Sequence, residues 1–77
     1  MVERKFILSR TKDDHSEVFY TLKEVHERVS ETLKKEKYSS NDVKVITVDE
    51  ETLKLDYGAY NDFFYVKTIY EEAQHGV

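Results

Sequence analysis

One stretch of this 77-residue chain has the apolar periodicity of a helix, and strand-like segments lie on both sides of it. Leu22, Val25, Val29 and Leu33 recur at helical spacing and fall within roughly 80° of one another on a helical wheel. Thr21-Leu22-Lys23-Glu24 matches a capping box, in which the threonine hydroxyl meets the glutamate N–H and the glutamate carboxylate reaches back. Lys34, Lys35 and Lys37 close the segment, where positive charge suits the negative end of the helix dipole. The spacing predicts a helix from Leu22 to Glu36.

The remaining apolar residues read as strands. Lys5–Arg10 is apolar at its centre and polar at both ends. Glu17–Tyr20 is β-branched and aromatic, and is expected to pair back on it as a hairpin. Val43–Val48 is the strongest strand signal in the chain. After the turn Asp49–Glu51, Thr52–Tyr57 alternates with Leu53, Leu55 and Tyr57 on one face. A second turn over residues 58–62 leads to Phe63–Tyr70, which is apolar or aromatic on both faces. The fold class is therefore α+β: a single helix packed on an antiparallel sheet in the order ββαβββ, with the last three strands a meander. A rival reading extends the helical stripe back to Val18, starts the helix near His15 after an Asp14-His15-Ser16-Glu17 cap, and gives βαβββ. Residues 1–77 make one small domain, with 71–77 a frayed tail. One helix cannot cover five strands, so the other face of the sheet must meet solvent, a second subunit or a partner.

Composition removes several function classes. With no cysteine there is no disulfide and no thiolate zinc site, and a reducing compartment fits. Three apolar residues after Met1–Lys5 are too few for a signal peptide, and no run spans a membrane, so a cytoplasmic protein is expected. His15 beside Asp13 and Asp14 lacks the convergent ligands a metal needs, and no metal or cofactor is expected. No serine sits in a nucleophile elbow, and neither glycine (Gly58, Gly76) belongs to a phosphate-binding loop. The adjacent pairs Glu50/Glu51 and Glu71/Glu72 would point to opposite faces of a strand and cannot act together as acid and base. The chain reads as no enzyme. In size, acidity and lack of cysteine it resembles the small accessory proteins of phages and mobile elements, a likeness of composition alone.

Charge and aromatic content are lopsided. From Asp49 onward seven acids face two lysines, while residues 1–48 are nearly neutral. Tyr57, Tyr60, Phe63, Phe64, Tyr65 and Tyr70 crowd the last 21 positions. The expectation is a non-catalytic protein-binding module whose acidic, aromatic sheet edge docks on a basic surface of another protein, blocking a nucleic-acid-binding surface by imitating phosphate charge. The residues expected to make that contact are Asp49, Glu50, Glu51, Asp56, Tyr60, Asp62, Phe64 and Tyr70. The alternatives are a structural homodimer joined through the open sheet face or the edge of the last strand, and a nucleic-acid-binding domain using Arg4, Lys5, Arg10, Lys12, Lys34, Lys35 and Lys37. The acidic balance, −4 overall, disfavours nucleic acid.

Overall fold

The alternating segments become strands and the 3.6-periodic segment becomes the helix. The computed structural model describes residues 2–39 and 42–72, and contains β1 (Val2–Arg10), β2 (Asp13–Phe19), α1 (Leu22–Lys35), β3 (Lys44–Thr47), β4 (Thr52–Asp56) and β5 (Phe64–Glu72). This is the expected ββαβββ order, with one helix on a five-stranded antiparallel sheet. The longer helix of the rival reading does not form. Residues 15–19 belong to β2, which pairs with β1 through Ile7↔Val18 and Leu8↔Glu17. Pairing with β1 outweighs the local helical pattern there.

The strands lie side by side in the order β2-β1-β5-β4-β3. The last strand is therefore the centre of the sheet and not its edge. A central strand has backbone partners on both sides, and the two-sided apolar character of Phe63–Tyr70 suits that position. A sheet edge built from the last strand is thereby excluded. β5 also runs through Glu72, opposite Val2, so the first two residues of the expected tail are paired; residues 73–77 lie outside the described residues. Among the described residues no helix is long and apolar enough to cross a membrane.

The helix ends are well defined. Thr21 caps α1: its hydroxyl accepts from the Glu24 N–H at 3.2 Å and donates to the Glu24 carboxylate at 2.9 Å. At the other end the Tyr38 N–H reaches the Leu33 carbonyl and the Lys37 N–H reaches that of Lys34, a Schellman arrangement. Lys37 occupies its left-handed position, φ 64°, where glycine is usual.

Val25, Val29 and Leu33 point from α1 onto Phe6, Leu8, Phe64 and Val66 of the sheet, and Tyr57 joins this core. Leu33 is fully buried. The helix backbone comes close to β1 and β2 and stands away from β3 and β4. That offset divides the molecule into a covered flank and an uncovered one. On the uncovered flank every residue of β3 is exposed, although its sequence was the clearest strand in the chain.

Candidate functional site

The residues expected to form one acidic, aromatic patch are dispersed. Phe64 is buried in the core and Asp62 is buried beside it, so neither meets a partner. The reason is alternation: Phe64 shares a face with Val66, and that face lies under the helix. Asp56 is half-buried and its carboxylate accepts from the Gly58 N–H, closing the turn at a glycine with φ 98°. Tyr60 is 92% exposed in the β4–β5 turn. Tyr70 is exposed opposite Arg4, at the far end of β5. Asp49, Glu50 and Glu51 stay together as the exposed tip of the β3–β4 hairpin. There the Glu51 N–H donates to the Asp49 carboxylate at 2.8 Å, and this bond and others from Thr52 hold that carboxyl below its usual range.

The face away from the helix is not acidic either. Strand alternation puts Lys5, Lys54 and Lys67 there with Ile7, Tyr65 and Ile69. Lys5 pairs with Glu71 at 2.8 Å, and the Lys54 ammonium stands 3.8 Å from the centre of the Phe63 ring.

Asp62 instead belongs to a polar knot centred on Arg10. By alternation Arg10 follows Phe6 and Leu8 onto the core face, and a guanidinium there requires acceptors. Its Nε donates to Asp62 at 2.8 Å; Nη1 and Nη2 donate to the Glu36 carboxylate at 2.5 and 2.7 Å; Nη2 also donates to the Tyr57 hydroxyl at 2.8 Å. The Tyr57 hydroxyl donates to Asp62. The guanidinium stands over the Phe64 ring at 4.7 Å and the Tyr57 ring at 5.5 Å. Lys12 adds a contact to Glu36 and its N–H donates to Asp62. Hydrogen bonds from Arg10 hold the Glu36 carboxyl down at about 2. Burial pushes the Asp62 carboxyl up, but the bonds from Tyr57 and Arg10 outweigh this and hold it below the ordinary range. Among the described residues no buried side-chain nitrogen or oxygen is left without a partner. The knot ties β1 to the helix C-cap and to the β4–β5 loop, with no open valence toward a ligand. Of the basic residues weighed for nucleic acid, Arg10, Lys12, Lys5 and Lys35 are all engaged by carboxylates within the chain.

The uncovered flank holds the feature that sequence reasoning missed. Between α1 and the β3–β4 side of the sheet runs an open cleft of about 240 Å³. Leu22, Val25, His26, Val29 and Ser30 line it from the helix; Val43, Val45, Leu53, Leu55 and Val66 line it from the sheet. None is a lysine, arginine, aspartate or glutamate, in a chain where 36% of residues are. Leu22 and Val45, on opposite walls, are 53% and 62% exposed. The signal lay in Leu22-His26-Ser30, an uncharged row at i, i+4, i+8 on an otherwise highly charged helix.

The histidines do not converge. His15 and His26 are both exposed, on β2 and α1, and among the described residues no group of three or more His, Cys, Asp or Glu side chains could hold a metal. The chain matches no protein-family model, no curated protein and no solved structure.

Proposed function

We propose that this chain is a non-catalytic protein-binding module, and that its recognition surface is the uncharged cleft between α1 and β3–β4. The observation that carries the reading is the absence of charge from every residue lining that cleft, together with the exposure of Leu22 and Val45. Exposed apolar walls cost a free domain solubility, and contiguous ones mark contact surfaces. The cleft is half-open, with Leu22 and Val45 exposed on opposite walls, which suits an extended or helical segment of polypeptide more than an enclosed small molecule.

The ligand's charge follows from the hairpin that forms one wall. β3 and β4 carry Val45 and Leu53 in the cleft and Asp49, Glu50 and Glu51 at their tip, beyond the Thr47–Leu53 pair. A segment with apolar anchors and basic flanking residues satisfies both parts. The tip then supplies attraction at a distance, and association weakens with salt. A basic, nucleic-acid-binding protein is one source of such a segment, and occupation of its basic residues would block phosphate contact.

A photo-crosslinking residue at Leu22, in the cleft, is compared in the source cell with one at His15, on the covered flank. The reading expects a covalent adduct with another polypeptide from position 22 and none from position 15, and loss of the adduct when Val45→Lys is added. Adducts from position 15 alone, or from neither site, contradict it.

A further inference from the structure

The two edges of the sheet are built differently. β2, on the covered flank, runs Asp13-Asp14-His15-Ser16-Glu17, and charge along an edge is the usual defence against pairing with another strand. β3, the opposite edge, is Lys44-Val45-Ile46-Thr47 and continues into Val48. Val45, Ile46 and Val48 are 62%, 42% and 54% exposed. One lysine is the only charge on this edge strand.

The ladder shows what the edge offers. The Val48 N–H donates to the Thr52 carbonyl, and the register continues through Thr47↔Leu53, Ile46↔Lys54, Val45↔Leu55 and Lys44↔Asp56. Backbone groups in an antiparallel pair alternate between facing the partner and facing away. With residue 48 turned toward β4, residue 46 is too, and the N–H and C=O of Val45 and Thr47 point out of the sheet.

From this we propose that the chain forms a two-fold symmetric dimer by antiparallel pairing of β3 with β3 of a second copy, with Ile46 on the axis. This register satisfies the whole free edge of the strand. Val45 and Thr47 exchange hydrogen bonds with Thr47 and Val45 of the other copy, which uses all four outward N–H and C=O groups. Ile46 faces its own symmetry mate, so two exposed isoleucines cover each other. Lys44 falls opposite Val48 of the other copy and diagonal to its Glu50, within reach of a long side chain, so the two charges attract. Among residues 44–48 no like charges face each other; beyond them Asp42 comes opposite Glu50 of the other copy, with Lys44 beside both. The same operation on β2 would set Asp13, Asp14 and Glu17 against a second acidic edge. The two-fold axis is perpendicular to the sheet, so both helices stay on one face. The two clefts then meet as a single trough floored by β4, β3 and their mates, about 19 Å across at ~4.8 Å per strand. The dimer does not depend on the cleft having a ligand.

The test uses light scattering or sedimentation over a range of concentration up to ~1 mM, since a four-residue strand pair is a small interface. The expected result is a reversible rise from the mass of one chain to twice that mass, lost in Ile46→Lys, which sets two ammonium groups against each other on the axis. The cysteine-free background allows a sharper arm. Residues facing each other in a non-hydrogen-bonded pair have Cα atoms about 4.5 Å apart, within the range a disulfide spans. Under mild oxidation Ile46→Cys should therefore convert to a covalent dimer, and Lys44→Cys should do so at least tenfold more slowly. A single-chain mass at every concentration with Ile46→Cys remaining reduced overturns the proposal. So does a dimer that crosslinks faster through position 44 than through position 46. A monomeric chain that still yields the Leu22 adduct would sink the dimer and leave the cleft reading standing.

Discussion

The covered and uncovered flanks of this sheet solve different problems. Under the helix, Phe6, Leu8, Phe64 and Val66 meet Val25, Val29 and Leu33, and Arg10 ties three elements together in a closed polar knot. On the β3–β4 side the helix withdraws, apolar side chains are left in the open, and the edge strand has no neighbour. The first flank uses its residues to hold the fold, and its outer edge is charged. The second adds only partly buried side chains, Val43, Leu53 and Leu55, to the core, and its edge strand carries a single lysine. Stability and recognition are thus separated across a single sheet, and substitutions on the two sides should differ accordingly.

The largest effect is expected on the covered flank. Arg10→Ala leaves Asp62 without its cation and Glu36 with Lys12 alone, and removing one partner of a buried pair such as Arg10–Asp62 costs about 3–5 kcal/mol. Urea denaturation should show most of a small domain's stability gone. A loss under 1 kcal/mol would mean the knot is incidental to the fold. Leu33→Ala should cost about 2–4 kcal/mol through the cavity it opens.

Acid should find the same flank. The Glu36 carboxyl titrates at about 2 in the fold, against an ordinary 4.5. A folded value below the unfolded one means that its contribution is complete above about pH 4.5 and is lost as pH falls toward 2. The depressed Asp62 carboxyl acts in the same direction. Glu36→Gln should therefore flatten the stability profile in that window. A profile as steep in the variant as in the parent chain would place the acid sensitivity elsewhere.

Smaller effects sharpen the contrast. Lys37→Gly relieves the left-handed residue after the helix, and should stabilise the chain by about 0.5–1 kcal/mol. Val45→Ala and Leu22→Ala, on the uncovered flank, should each change the stability of the isolated monomer by less than about 0.5 kcal/mol. If Val45→Ala costs as much as Leu33→Ala, the division between the flanks is wrong.

The fold was largely legible because local signals agreed with one another. The Thr21 cap, the Val25-Val29-Leu33 part of the stripe and the alternation of Thr52–Tyr57 each reported a local geometry that pairing and packing kept, while Leu22 is left exposed. Strand order was not legible, since nothing local in Phe63–Tyr70 says that it pairs with β1. That single tertiary fact moved the aromatic strand from the edge to the centre and removed Phe64 from the surface. Asp62 was misplaced for a related reason. Its partner Arg10 is 52 residues away, and only the alternation Phe6, Leu8, Arg10 hints that a guanidinium lands under the helix and needs a carboxylate. Asp49, Glu50 and Glu51 survived as an exposed group because a hairpin tip is a local feature. The Leu22-His26-Ser30 row marked one wall of the cleft, but the cleft itself was not legible, because it arises from where the helix axis rests, and the stripe specifies only which residues face inward.

The most direct test of the separation is amide hydrogen exchange, residue by residue, at low and high protein concentration. The account predicts that the Val45 and Thr47 amides exchange freely in dilute solution and become protected as concentration rises, while the outward amides of β2 stay unprotected throughout. Free exchange of Val45 and Thr47 at every concentration, or protection that builds on β2 instead, would contradict it.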